Sequence, residues 1–187
     1  MHMLKPLALL LAGMLLLSSC SLLDMQQTNT DGDEMNTASS ITATADSLEK
    51  RSDAMFETIL SAIENGDSDT IKALFSEDAL EEANDIDAAI EYLFNLFDGE
   101  IVSWERDRQN SGESYREGRF SQLIRTWYTV HTETDRYLFL LLDYGENTIN
   151  PNLEGLYTLH GIDAEYAETQ WGNWVELRAP GVYMPEE

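Results

Sequence analysis

The chain has a single cysteine, Cys20, in 187 residues. No intramolecular disulfide can form, so any folded part must be held by apolar burial. Cations are scarce: 11 Lys and Arg stand against 35 Asp and Glu, a formal net charge of −24. A surface of that sign repels phosphate backbones and anionic headgroups, which excludes nucleic acid as a partner. Three histidines occur, His2, His131 and His160, and none form the helical i,i+4 pair that zinc sites use. Asn65, Asp67 and Asp69 alternate like calcium ligands, but the sixth and twelfth places of such a loop hold Thr70 and Ser76. Calcium loops need Gly and Glu there. There is no glycine-rich phosphate loop and no Gly-x-Ser-x-Gly elbow. No metal and no cofactor are therefore expected. The longest apolar run, Leu7 to Leu17 with Gly13 inside it, is shorter than the roughly 20 residues of a membrane-spanning helix.

What is present begins with that run. Lys5 precedes it and the small residues Ser18 and Ser19 follow it, the pattern of a secretory signal. Leu17-Ser18-Ser19-Cys20 resembles the bacterial lipobox, in which a Leu and two small residues precede a lipidated cysteine. The resemblance implies a diacylglycerol thioether on Cys20 and cleavage before it, giving a signal peptide over residues 1–19. Each buried methylene contributes ~0.8 kcal/mol, so two acyl chains anchor stably where one does not. The expected location is the cell membrane, lipid-anchored, on the extracytoplasmic side. Residues 20–45 hold Cys20 and then Ser, Thr, Asn, Gln, Asp and Ala with few large apolar side chains. Such a composition cannot offset its ordering entropy and predicts a disordered tether with a span of roughly 25–30 Å.

Residues 46–187 are long enough for one domain. Asp46-Ser47-Leu48-Glu49 reads as a capping box, and Leu48, Met55, Phe56, Ile59, Leu60 and Ile63 fall on one helical face ending at Gly66. Asp67 predicts the cap of a short second helix with Ile71, Leu74 and Phe75. After a polar break at Glu81–Asp85, a third helix carries Ile86, Ile90, Leu93, Phe94 and Phe97, and Gly99 closes it. The period then changes. Ile101–Glu105 reads as a strand, Asp107–Gly118 as a polar loop, and Leu123–Glu133, Arg136–Tyr144 and Leu156–Ile162 as further strands. Thr132–Asp135 is short enough for a hairpin, and Asn150-Pro151-Asn152 marks a turn. The run Tyr137–Leu142 predicts a central strand buried on both faces, or one covered by a partner. Trp174–Leu177 is a candidate extra edge strand.

Three helices followed by a meander form an α+β pattern. With Asn65-Gly66-Asp67, Ile71, Leu74-Phe75 and Ala79, the order of elements resembles the NTF2-like, or cystatin-like cone, superfamily: three N-terminal helices on a curved antiparallel sheet. Together with Thr134–Tyr137 and Asn150–Tyr157, the stretch from about 48 to 163 resembles domain-of-unknown-function family 5104. That family consists of lipoproteins, mostly from Gram-positive bacteria, and has no assigned chemistry.

NTF2-like enzymes carry acid/base residues inside the cone, so the resemblance makes His131, His160 and Asp143 the catalytic candidates. A neutral imidazole beside a carboxylate suits such work near neutral pH. Alternation puts His131 with Thr129, Trp127 and Arg125, and Asp143 with Leu141 and Phe139. Tyr92, Trp104, Trp127, Tyr128, Tyr137, Tyr144 and Tyr157 surround the sheet as core or as pocket walls. The leading expectation is a non-enzymatic envelope lipoprotein that binds a small ligand or an envelope protein. The alternative is a lyase, isomerase or hydrolase using the cone. A second copy docking through the sheet face is a third expectation.

Overall fold

The computed structural model describes residues 31–171 and 178–185. Two units partition the chain, Met1–Ala38 and Ser39–Glu187, and the sheet with its covering helices lies in the second.

The first helix, α1, spans Asp31–Asn65 and buries Ser52, Phe56, Ile59, Leu60 and Ile63 along one face. This is the stripe the spacing predicts. Its start is not at Asp46: residues 31–45, expected as tether, are helical. After Gly32 that stretch has neither Gly nor Pro. Once the packed part of α1 has formed, each added residue needs no new nucleus. The C-terminus closes as the glycine signal requires. Gly66 has φ +64°, its N–H donates to Ile63 O at 3.2 Å, and Asp67 N–H donates to Ala62 O at 2.8 Å, a Schellman arrangement. Asp67 then caps α2 (Ser68–Leu74) by accepting from Thr70 N–H.

Two further helices follow where one was expected. Helix α3 (Glu77–Glu82) is capped by Ser76, and α4 (Ile86–Phe94) by Asp85. Only Ala79 of α3 is buried, so no apolar period announces it. Among the described residues four helices thus precede the sheet, not three.

Among the described residues the sheet has five strands in sequence order: β1 (Ile101–Arg116), β2 (Arg119–Thr132), β3 (Arg136–Asn147), β4 (Gly155–Asp163) and β5 (Gly181–Tyr183). The first four pair antiparallel, while β5 runs parallel to β4. The fold is α+β, helices first and a mostly antiparallel sheet after. Asp107–Gly118, expected as a loop, is mainly the outer half of β1. Its residues are nearly all exposed, so no buried face imposes a period of two. Glu117 and Gly118 turn the chain with φ of +52° and +77°, and Arg116 pairs with Arg119, as a two-residue hairpin turn demands. The β2–β3 hairpin is at 133–135, and a 3₁₀ turn at Pro151–Leu153 falls where Asn150-Pro151-Asn152 predicted a turn. The candidate strand Trp174–Leu177 lies outside the described residues. After β4 come a 3₁₀ turn and α5 (Ala167–Gln170).

As Tyr137–Leu142 predicts, β3 is the central strand. Tyr137, Phe139 and Leu141 join the core under the helices, and Leu140 and Leu142 pack on the opposite face with Leu123, Trp127 and Trp171. Aromatic rings pack between the helices and the sheet. Phe56 stacks on Tyr128 with ring centroids 3.9 Å apart, and Trp104 and Phe139 meet Phe56 edge-on at 5.5 and 5.3 Å. Because Phe56 is fully buried and touches three rings, Phe56→Ala is expected to lower stability by about 3–5 kcal/mol. Urea unfolding measures this, and a loss below about 1 kcal/mol would contradict the packing described.

Candidate functional site

The face of the sheet toward the helices carries polar links to α1. Arg51 Nε and Nη2 donate to the two carboxylate oxygens of Asp143, each at 3.0 Å, and Nη1 donates to Gly145 O at 3.0 Å. Asp143 is buried and Arg51 is half in water. Burial pushes the Asp143 carboxyl above its usual range, and the Arg51 charge opposes that. Arg106 Nη1 donates to Asp53 at 2.5 Å and Nη2 to Glu49 at 2.6 Å. Tyr128 Oη donates to the other Asp53 oxygen at 3.2 Å. Burial, reinforced by that carboxylate, raises the phenol's pKa, so Tyr128 stays a donor. Gln109 Nε2 donates to Ser52 Oγ at 2.8 Å and Thr126 Oγ1 at 3.0 Å. All of these fasten α1 to the sheet. A bidentate guanidinium–carboxylate pair is a geometric clamp, and Asp143 is the sheet's half of one.

The opposite face carries a transverse row. Arg108 pairs with Trp127, Trp127 with Leu140, Leu140 with His160 and His160 with Tyr183, so one residue from each strand lies in line. The Arg108 guanidinium sits 3.9 Å over the Trp127 ring, a cation–π contact. His160 stacks on Tyr183 at 3.8 Å and meets Trp171 at 5.1 Å. Its imidazole is fully buried, and neither nitrogen has a hydrogen-bond partner among the described residues. Leaving such a group unsatisfied costs about 1–3 kcal/mol. Burial holds its pKa down to about 3, so it is neutral.

The three acid/base candidates do not converge. Asp143 is on the helix side, while His160 and His131 are on the other. His131 pairs with Arg136 at the hairpin end of β2 and is partly exposed, with Nε2 3.8 Å from a Glu105 carboxylate oxygen. It lines a recess of about 430 Å³ together with Glu133, Asp135, Arg136, Asp163 and Glu165. Neither His160 nor Asp143 borders that recess. Among the described residues no three His, Cys, Asp or Glu side chains gather as a metal ion would require. Cys20 lies outside the described residues.

A second recess, about 200 Å³, opens on the outer face between Asp107, Arg108, Trp127, Leu138 and Trp171. Asp107, Arg108 and Tyr183 escaped the sequence reading. Extending the β alternation past Glu105 would have brought the first two onto a strand. Nothing local to Tyr183 signals its place beside His160.

The buried histidine generates a pH dependence. Its unfolded pKa is about 6.5, and its folded value is about 3. Its contribution is complete above pH 6.5 and is lost as pH falls toward 3, by up to about 1.4 kcal/mol per pH unit. His160→Phe is expected to flatten the loss of urea stability between pH 6.5 and 5 relative to wild type. Equal slopes in the two proteins would refute the assignment.

No curated protein matches the chain. Residues 58–164 match a family described as Domain of unknown function (DUF5104). The matched segment runs from the middle of α1 through β4, and so holds His131, Asp143, His160 and the row as far as β4. It covers more than half of the 187 residues. The chain therefore belongs to the DUF5104 family.

Proposed function

We propose that this protein is a lipid-anchored envelope protein whose NTF2-like domain binds a small ligand or an envelope partner and does not catalyse a reaction. The observation that carries the binding reading is the separation of His160 and Asp143 onto opposite faces of the sheet, with Phe56, Tyr128 and Phe139 packed between helices and sheet. A general acid and base must reach one substrate, and these groups share no cavity. What lies open instead is a recess with aromatic walls and a few polar groups, the usual composition of a ligand site. The NTF2-like assignment draws support from four helices ahead of a sheet with bulges in three of its strands, since bulges bend strands and curve a sheet.

The anchor rests on Leu17-Ser18-Ser19-Cys20 after a short apolar run. Among the described residues no helix is long and apolar enough to cross a membrane. In a detergent phase-partition assay on producing cells, the wild-type chain is expected in the detergent phase and Cys20→Ala in the aqueous phase. Retention of Cys20→Ala in the detergent phase would overturn the anchor. For the binding reading, native mass spectrometry of the protein purified in mild detergent is expected to reveal a non-covalent adduct that denaturation removes. A bare chain from every preparation, with no small ligand, envelope protein or second copy attached, would count against it.

A further inference from the structure

The register of β1 against β2 shifts twice, between Ile101 and Ser103 and between Arg106 and Arg108, and the second shift lies at the recess of about 200 Å³. Arg106 and Gln109 both reach α1 on the helix side. The two residues between them both go to the other face, because the register with β2 shifts between Arg106 and Arg108. Asp107 accepts from Thr129 Oγ1 at 2.8 Å there, and Arg108 lies over Trp127. A bulge of this kind re-aims side chains and commonly sits beside functional sites. Here it sets a carboxylate and a guanidinium side by side on a recess also lined by Trp127, Tyr128, Leu138, Phe139 and Trp171.

Both charges are available. Arg108 makes no ion pair among the described residues, although the chain carries a net charge of −24. Asp107 uses Oδ2 for Thr129, and Oδ1 has no hydrogen-bond partner among the described residues. Adjacent opposite charges above an apolar recess complement a small molecule bearing both charges on one carbon beside an apolar group. A fatty acid would leave its carboxylate next to Asp107, and an amine would leave its ammonium next to Arg108. The size agrees, since an apolar cavity of about 150 Å³ holds benzene.

We propose that this recess binds a free α-amino acid with an apolar or aromatic side chain, its carboxylate on Arg108, its ammonium on Asp107 and its side chain between Trp127, Leu138 and Trp171. This rests on the binding reading above and names the ligand class of that site. The planar guanidinium offers a carboxylate two parallel donors, and stacking on Trp127 holds the fork in place. Trp171 also touches His160, so the wall of the recess is continuous with the buried row.

The test is a titration of the full chain in mild detergent, followed by tryptophan fluorescence and calorimetry. L-phenylalanine and L-leucine are expected to bind saturably. N-acetyl-L-phenylalanine, which lacks the ammonium, and phenethylamine, which lacks the carboxylate, are each expected to bind at least tenfold more weakly. Arg108→Gln is expected to weaken phenylalanine at least tenfold and leave phenethylamine unchanged, and Asp107→Asn to do the same for phenylalanine and leave the N-acetyl compound unchanged. The analogue series needs no variant, so a folding defect cannot mask the result. Absence of saturable amino-acid binding, or equal affinity for the blocked analogues, overturns the proposal. If native mass spectrometry then finds a ligand of another class, the binding reading stands and only the amino-acid assignment falls.

Discussion

The stack of Phe56 on Tyr128 is the contact on which the domain depends. No disulfide holds α1 to the sheet; buried apolar surface does so together with polar links, and these two rings lie within that surface. The same residues set the polar links. Tyr128 Oη reaches Asp53, one turn before Phe56, and Asp53 in turn receives Arg106 from β1. Helix α1 is thereby tied to β1, β2 and β3 at successive turns, by Arg106 and Gln109, by Tyr128, and by Asp143 through Arg51. An apolar stack supplies the energy. The charge-assisted hydrogen bonds around it select the register, because each needs its partner at one position along the helix.

Phe56, Tyr128, Trp104 and Phe139 pack ring against ring between α1 and the sheet, and the recess beside Arg108 and Trp127 opens on the other face. That face also carries the row from Arg108 to Tyr183, one residue per strand, with its middle members Leu140 and His160 buried and Trp171 against it. Within this row His160 is the costly member. Tyr183, stacked on it, and Trp171, against it, keep water from the imidazole, so its missing hydrogen bonds are a cost that the ring packing offsets in part. Neutrality follows from the same burial, which makes His160 unfit to carry a charge in chemistry but sensitive to acid in stability. Asp143 is fixed in the opposite sense, buried but held by a guanidinium. The two residues that a catalytic reading would pair are thus each committed to its own side of the sheet.

The solvent-facing hairpin and the short helix were opaque in sequence for one reason. Periodicity is written only where one face is buried. Asp107–Arg116 is exposed on both faces, so it reads as loop although β2 pairs with it throughout. Helix α3 buries Ala79 alone and shows no stripe. The start of α1 was set too late because residues 31–45 are helical with no apolar repeat to mark it. Where burial is one-sided and long, as in Phe56–Ile63, Ile86–Leu93 and Leu123–Val130, spacing and structure agree. The glycine stop at 66 and the aspartate cap at 67 are equally legible for α1 and α2, since a cap acts within a few residues of itself.

The candidate site divides along the same line. Composition and order alone determined the absence of disulfides, the acidic surface, the likeness of residues 17–20 to a lipobox, and an α+β chain with helices first and Tyr137–Leu142 at the centre of its sheet. These follow from residue counts and from interactions within a turn or a strand. The tertiary structure decided which side of the sheet each named residue occupies. That choice hangs on strand register and on bulges, where one extra residue reverses every side chain beyond it. The shift at Asp107 brought a carboxylate beside Arg108 over Trp127, and the parallel pairing of β5 brought Tyr183 onto His160 from across a long stretch of chain. No local pattern encodes either contact, because each depends on where a distant strand comes to rest.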